Sequence, residues 1–172
     1  MKDYTIRLIT QKDAVGFFDL LQRNKARLDD YFAGTMRCTQ TLQETVDYCK
    51  NIEEKIVKKE YLPYLILNDE NNLIGFIDFK NIDWSIPKAE LGAFIDMSFE
   101  GRGIVTKSFN YLLDEVVRIH QFKKLYCRIA DENTRSVQLA IRCGFKLEGV
   151  ITRDYKTTKG KLVDLNYYGK II

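Results

Sequence analysis

The chain has 172 residues, 45% of them hydrophobic and 30% charged, an ordinary composition for one globular domain with a substantial core. Its formal net charge of +3 is too small to indicate nucleic acid as a partner. Residues 1–5 contain no apolar core and no apolar run approaches the length of a membrane span, so we expect a cytoplasmic protein without a secretion signal or a membrane partner.

Strand and helix patterns alternate along the chain. In chain order, they predict a strand at 4–9, a helix from Thr10 to before Gly34, a helix from Thr41, strands at 61–67, 73–82 and 89–96, a helix after residue 103, a strand at 124–129, a helix at 133–143, and strands at 145–155 and 161–171. Thr41 and Glu44 have the spacing of a capping box. This order predicts a single α/β domain spanning residues 1–172.

Cysteine and histidine give little material for a metal site or a hydrolase triad. The four cysteines, Cys38, Cys49, Cys127 and Cys143, are widely scattered, which favours buried, reduced thiols over disulfides or metal ligands. The single histidine, His120, lies near the end of a predicted helix, where a capping or surface role is expected. No metal site is predicted.

The stretch from Lys88 to Val117 combines a strand, the turn Gly101-Arg102-Gly103 and a helix. A glycine turn at a helix N-terminus directs several backbone N–H groups to one point, with the helix dipole behind them, which favours a phosphate. The alternative is that the glycines serve turn geometry alone. A Walker A loop is excluded because Gly103 is not followed directly by a Lys-Ser or Lys-Thr pair. A dinucleotide fingerprint is excluded because Thr106 occupies the position of its third glycine.

Four segments lie in order at characteristic spacing: 90–96 (ELGAFID), 100–106 (EGRGIVT), 131–136 (DENTRS) and 143–149 (CGFKLEG). Together they resemble the GNAT superfamily of acetyl-CoA-dependent N-acetyltransferases, and more closely its RimJ/RimL-like branch of ribosomal-protein N-terminal acetyltransferases. The resemblance covers nearly the whole chain. It implies a mixed central sheet of about seven strands with four helices, in which the central strands splay apart.

The resemblance also assigns the cofactor, acetyl-CoA, and the residues that bind it. The pyrophosphate of coenzyme A is expected on the backbone N–H groups of Gly101, Arg102, Gly103, Ile104, Val105 and Thr106. The pantetheine arm is expected to pair with the exposed backbone around Phe94, Ile95 and Met97, and to contact Asn133 at the start of the following helix.

Amide formation needs a neutral amine, a stabilised oxyanion and a proton for the departing thiolate. Many family members supply that proton from a tyrosine seven residues after the helix asparagine, a position occupied here by Ala140. Ser136 lies one turn earlier on the same helix face, and the resemblance implies that it is the general acid; the alternative is a capping or packing role. Glu90 is the first candidate base and Asp83 the second, although water can suffice for an α-amine with a pKa near 7.7 to 8.0.

The acceptor is expected to be a primary amine, with a protein N-terminus as the first candidate, in a groove lined by Tyr31, Phe32, Trp84 and Tyr155. Two other readings stay open. One is a small-molecule acetyltransferase in which acidic residues including Asp29 and Asp30 receive a polyamine or aminoglycoside, or whose acceptor is an amino acid. The other is a catalytically silent acyl-CoA-binding module. The sequence is compatible with a monomer or a homodimer.

Overall fold

The computed structural model describes residues 4–172, with only the backbone described at Val117. The strands are β1 (Tyr4–Leu8), β2 (Leu62–Asn68), β3 (Leu73–Asp83), β4 (Lys88–Ile95), β5 (Lys124–Ala130), β6 (Lys146–Lys156) and β7 (Leu162–Ile171). The α-helices are α1 (Ala14–Arg23), α2 (Lys25–Tyr31), α3 (Ala33–Arg37), α4 (Leu42–Val57), α5 (Ile104–Leu112), α6 (Arg118–His120) and α7 (Thr134–Arg142). A π-helical turn, Leu113–Val117, joins α5 to α6.

All seven strands form one sheet in the order β1-β2-β3-β4-β5-β7-β6. Neighbouring strands are antiparallel except β4 and β5, which are parallel. The predicted element order and the mixed seven-stranded sheet are therefore confirmed.

The two parallel strands separate in the middle of the sheet. They pair only from Lys88 with Lys124 to Glu90 with Tyr126, whereas β4 continues to Ile95 and β5 to Ala130. The predicted splay of the central strands is confirmed, and it opens a gap in the centre of the sheet.

Helices cover both faces of the sheet. Helices α1 to α4 contribute Phe17, Leu28, Met36 and Cys49 to one apolar core, against which Phe94 of β4 packs. The other face packs against α5 and α7 through a second core that includes Phe109, Leu112 and Ala140. The gap between β4 and β5 therefore connects two helical layers.

The predicted first helix is broken, so the expected count of four helices is too low. The backbone leaves the helical conformation at Asn24 and again at Phe32, and Gly34 lies inside α3 instead of ending the helix. Asn24 is buried, and its side-chain amide donates to the Leu20 carbonyl at 2.9 Å. Apolar periodicity continues across the break and cannot reveal it.

Other local predictions agree with the structure. The Thr41 hydroxyl accepts from the Glu44 N–H at 3.2 Å, and the Glu44 carboxylate accepts from the Thr41 N–H at 2.9 Å, which completes the capping box. Three of the four free cysteines are buried, but Cys38 is exposed, contrary to expectation. Within residues 4–172, no helix is both long enough and apolar enough to cross a membrane.

Candidate active site

A cavity of about 160 Å³ lies at the gap between β4 and β5 and is lined from both faces of the sheet. Because side chains alternate along a strand, neighbouring residues of β4 and β5 face opposite layers. On the α5 and α7 side the lining includes Leu91, Ala93, Val105, Phe109, Cys127, Ile129, Asn133, Ser136 and Ala140. On the opposite side it includes Tyr31, Phe32, Lys80, Glu90, Arg128 and Tyr155. The cavity therefore passes through the sheet.

The free edge of β4 carries the backbone groups that face the gap. The Asp96 N–H donates to the Ile74 carbonyl of β3 at 2.7 Å, so alternate residues from Asp96 backwards direct their hydrogen bonds to β3. The backbone groups of Leu91, Ala93 and Ile95 consequently face the other way, and from Ala93 onwards β5 does not pair with them.

This alternation corrects the predicted pantetheine contacts on β4. The backbone of Phe94 pairs with Phe76 of β3, and its side chain is buried in the helical core. Met97 lies beyond the strand, where its N–H donates to Asn24 Oδ1 at 3.2 Å and its side chain is exposed. Ile95 faces the gap side, but its carbonyl already accepts from Arg27 at 2.5 Å. The predicted segment includes the free edge of β4, whereas the orientation of its residues follows from the sheet register.

The glycine turn has the geometry predicted for an anion site. Gly101 and Gly103 have φ angles of +73° and +69°, a conformation that glycine adopts without strain. Gly103 is the N-cap of α5, and its carbonyl accepts from the Lys107 N–H at 3.0 Å, which is the first bond of the helix. The N–H groups of residues 104–106 precede that bond and have no partner within the helix.

Arg102 folds back along the turn. Its guanidinium donates to the Ser98 carbonyl at 2.9 Å and lies over the Phe99 ring at 5.0 Å. The neighbouring Glu100 binds Arg27 of α2 and accepts from Arg135 of α7 at 2.5 Å. These ion pairs hold the turn between two helices. They could not be predicted from the sequence, because their partners are remote along the chain.

Helix α7 places the predicted catalytic face against the cavity. Asn133 is its N-cap, and Asn133 Oδ1 accepts from the Ser136 N–H at 3.3 Å. Asn133, the half-buried Ser136 and the buried Ala140 all line the cavity, which confirms that they share one face. Ala140 is part of the cavity wall, one helical turn after Ser136.

Glu90 lies at the point where the strands separate and is only 5% exposed. Its Oε2 accepts from Asn81 Nδ2 at 2.7 Å and from Arg128 Nε at 3.1 Å. Its Oε1 is 3.9 Å from Lys80 Nζ, too far for a hydrogen bond. Asn81 occupies a bulge of β3 with a φ of +48°, and this bulge brings its amide to Glu90. One carboxylate oxygen is therefore fixed and the other is available.

Arg128 is the charged partner of Glu90 on the neighbouring strand. Burial opposes its charged form, but the carboxylates of Glu90 and Asp154 outweigh burial and raise the pKa of Arg128. Asp154 accepts from Arg128 Nη1 at 2.7 Å. Arg128 was not predicted as a site residue, because a strand position gives no indication of a partner on another strand.

Asp83, the second candidate base, lies outside the cavity lining at the β3–β4 turn. Its Oδ1 accepts from the Ser85 N–H at 3.0 Å and from the Ser85 hydroxyl at 2.5 Å. The carboxylate stabilises a turn, so the structure does not place it to act on a ligand in the gap.

Three of the four predicted acceptor residues meet at the cavity, on the side away from α5 and α7. Tyr31, Phe32 and Tyr155 all line it. The Tyr155 hydroxyl accepts from the Ala33 N–H at 2.8 Å, and burial raises the pKa of Tyr155. The Phe32 ring packs edge-on against Phe94 at 5.1 Å. These contacts hold an aromatic mouth, defined as Tyr31, Phe32 and Tyr155, over the gap.

The structure places Trp84 away from the cavity, where it was not expected. Its ring stacks on Phe122 at 5.3 Å and lies 5.9 Å from His120, and its Nε1 donates to the Lys59 carbonyl at 3.1 Å. Trp84 therefore fills a packing site beside the β3–β4 turn and does not line the cavity. His120 is accordingly a packing partner near a helix end.

The gap between β4 and β5 lies between two candidate ligand sites. A phosphate-bearing ligand fits the turn before α5, and an extended chain fits the free edge of β4. A second ligand can enter from the aromatic mouth. The two candidate sites meet at the part of the cavity that Ser136 and Glu90 line from opposite faces of the sheet.

The chain matches the family model described as an acetyltransferase (GNAT) domain over residues 3–146. The ribosomal-protein-serine acetyltransferase of Escherichia coli is 24% identical over 169 residues, covering 97% of this chain and 92% of that protein. YdaF of Bacillus subtilis, provisionally assigned as a ribosomal N-acetyltransferase, is 30% identical over 95% of this chain and 88% of its own length. The spermidine N(1)-acetyltransferase of Vibrio cholerae is 25% identical over 88% of this chain and 83% of its own.

Solved structures show the same fold over the whole chain. The RimL ribosomal L7/L12 alpha-N-protein acetyltransferase in complex with coenzyme A gives a TM-score of 0.90 at 23% identity, covering 100% of this chain and 96% of that one. The microcin C7 self-immunity acetyltransferase MccE in complex with acetyl-CoA and AMP gives 0.88 at 24% identity, covering 100% and 94%. Because the family model spans most of the chain, the chain belongs to the GNAT family of acetyl-CoA-dependent N-acetyltransferases.

Proposed function

We propose that the protein transfers an acetyl group from acetyl-CoA to the α-amine of a protein N-terminus, as an enzyme of the ribosomal-protein type. The observation that carries this proposal is the cavity through the sheet, which joins the cofactor side at α5 and α7 to an aromatic mouth on the other face. A mouth of this kind suits the first residues of an extended peptide, because aromatic rings bind apolar and polar side chains alike.

The residues present fit coenzyme A. The turn before α5 offers the unbonded N–H groups of residues 104–106 to a pyrophosphate, and its two glycines present no side chain to obstruct it. The free backbone of Ala93 offers strand-type hydrogen bonds to the pantetheine amides. Asn133 and Ser136 line the same side of the cavity.

The bound acetyl-CoA supplies an activated thioester. A backbone N–H on the free edge of β4 stabilises the oxyanion that forms when the amine attacks. The Ser136 hydroxyl donates a proton to the leaving sulfur. Because a free thiol has a pKa of about 8.5, this donation lowers the barrier only modestly.

Glu90 is the proposed base. Within residues 4–172, no donor lies within hydrogen-bond distance of Glu90 Oε1, whereas Asn81 and Arg128 donate to Oε2. It accepts the ammonium proton, directly or through one water, before attack. An α-amine with a pKa of about 8 is already partly neutral at physiological pH, so this base assists the reaction without being indispensable.

A polyamine is the second candidate acceptor, favoured by the similarity to a spermidine acetyltransferase. The charges in the cavity argue against it. Lys80 and Arg128 line the acceptor side, where they repel a polycation. Asp29, one of the acidic residues expected to receive it, forms an ion pair with Lys25 at 2.9 Å. A single α-ammonium matches the acceptor side better.

The test is thiol release from acetyl-CoA with peptides that begin with serine, alanine or other residues, and with spermidine. The matched control is the same peptide with a blocked N-terminus and an internal lysine. We expect release with free N-termini and none with the blocked peptide. Release with spermidine alone would contradict the proposal and favour the polyamine.

A further inference from the structure

Lys80 places an amine of the protein itself on the acceptor side of the cavity. It lies on β3 directly opposite Glu90 of β4, and both line the cavity. Among the residues that line the cavity in the described part of the chain, Lys80 carries the only primary amine. An amine beside the proposed base is also what an acceptor must present.

The Lys80 ammonium is loosely held. Its Nζ is 3.9 Å from Glu90 Oε1 and 3.9 Å from Asp78 Oδ2, and both distances exceed a hydrogen bond. It lies 5.7 Å from the centre of the Phe32 ring, within the aromatic mouth. The side chain is 35% exposed, so water reaches it and rotamer changes are open to it.

Residue 92 has no side chain that would stand between this amine and the gap. Gly92 lies between Lys80 and the free edge of β4, and a Cβ there would be 3.2 Å from Lys80 Nζ. It would also collide with Asp78 Oδ1. Glycine at this position therefore leaves an open path for the flexible lysine stem towards the point where β4 leaves β5.

We propose that Lys80 is acetylated by the enzyme itself when no acceptor occupies the aromatic mouth. This inference rests on the proposed position of acetyl-CoA, but not on the class of acceptor. Lys80 first loses a proton, to Glu90 or to water. Its Nζ then attacks the thioester carbon, a C–N bond forms, the C–S bond breaks, and coenzyme A leaves as a thiol after taking up one proton.

The modification is slow and limits itself. A free lysine amine, with a pKa of about 10.4, is only about 0.1% neutral near pH 7.5. The neutral fraction of an α-amine at that pH is larger by a factor of a few hundred. An added peptide therefore outcompetes Lys80. Acetylation removes the charge beside Glu90 and adds an acetyl group at the mouth, which lowers turnover of a peptide acceptor.

The test is intact-protein mass spectrometry with peptide mapping after incubation with acetyl-CoA and no acceptor at about pH 8.5. We expect one acetyl group per chain, located on Lys80. The Lys80→Arg variant retains the charge and should remain unmodified. Heat-denatured protein should show no preference for Lys80.

Lys88→Arg is the matched control. The Lys88 side chain is 32% exposed and its Nζ is 3.8 Å from Asp83, but Lys88 does not line the cavity. Its replacement should leave acetylation of Lys80 unchanged. Equal labelling of Lys88 and Lys80 in the native protein would indicate chemical acetylation and overturn the inference.

A parallel reaction with a peptide acceptor separates this inference from the proposed function. One outcome would overturn the inference alone: the peptide is acetylated in its own reaction, but Lys80 stays unmodified in the reaction without peptide. Acetylation of Lys80 with no turnover of any peptide would support the inference and contradict the proposed acceptor class. Absence of both reactions would overturn both.

Discussion

Glu90 on β4 pairs with Tyr126 on β5, and this is the last pair between the two strands in residues 4–172. Beyond it the backbone of Ala93 is unpaired on the β5 side, and the cavity opens. A residue at the last pair lies beside the gap, while its own backbone groups face β3 and its strand is paired with β5 up to this point. Glu90 therefore combines a fixed position with access to a ligand.

Replacing Glu90 by glutamine should preserve the contacts of Oε2 and remove the proton acceptor. We expect kcat/KM for a peptide to fall about tenfold near pH 7 and to approach the wild-type value above about pH 9, where the α-amine is neutral without assistance. A pH profile of peptide turnover checks this. Asp83→Asn, outside the cavity lining, should match wild type throughout, and an equal loss at every pH would remove Glu90 as the base.

Replacing Ser136 by alanine should lower kcat about tenfold, because the hydroxyl assists a leaving group that already has a pKa of about 8.5. The KM for acetyl-CoA should change little, since the Ser136 backbone N–H, which binds Asn133, is retained. Steady-state kinetics with both substrates measures this. Unchanged turnover would assign Ser136 to capping or packing only.

Replacing Gly103 by alanine should weaken acetyl-CoA binding. Its φ of +69° costs a residue with a side chain about 1–2 kcal/mol, and relief of that strain moves the N–H groups at the start of α5. Calorimetry should show the Kd for acetyl-CoA raised about tenfold or more. Gly160→Ala provides the control, because Gly160 has a similar φ of +84° in the β6–β7 turn, outside the cavity lining. It should lower the Tm without changing that Kd.

Replacing Trp84 by alanine should destabilise the protein without changing recognition of the acceptor. Loss of the stacking on Phe122 should reduce the free energy of unfolding by about 2 kcal/mol, because the ring is only partly buried. The KM for a peptide should stay within about twofold of wild type, as expected for a residue remote from the ligand. Denaturant unfolding and steady-state kinetics test the two parts separately.

Replacing Tyr155 by leucine should weaken recognition of the acceptor at the aromatic mouth, unlike the replacement of Trp84. It removes the hydroxyl that accepts from the Ala33 N–H and the ring that lines the cavity. We expect the KM for a peptide to rise about fivefold or more, with the Kd for acetyl-CoA unchanged. A raised Kd for acetyl-CoA would place Tyr155 on the cofactor side instead.

Local signals in the sequence predicted the elements well. The capping box at Thr41, the glycine turn before α5 and the shared face of Asn133, Ser136 and Ala140 all depend on residues within a few positions of one another. Such short-range relationships can be inferred from spacing alone, because the helix period and the φ preference of glycine are general.

The remaining site features depend on contacts between distant segments. Phe94 was assigned to the cofactor by resemblance, but only the pairing with β3 shows which way its backbone faces. Arg27 and Arg128 reach Ile95 and Glu90 from other elements, and no spacing rule predicts these contacts. Trp84 was expected at the mouth, whereas packing against Phe122 holds it elsewhere.

The central claim is that cofactor and acceptor meet through the sheet from opposite faces. A crystal structure with a conjugate that links coenzyme A to the α-amine of a serine-initiated peptide tests it most directly. We predict that the coenzyme A part lies between the α5 turn and Asn133, and that the peptide part leaves past Glu90 towards Phe32 and Tyr155. A peptide part on the α5 and α7 face, or one that leaves the gap unoccupied, would contradict the account.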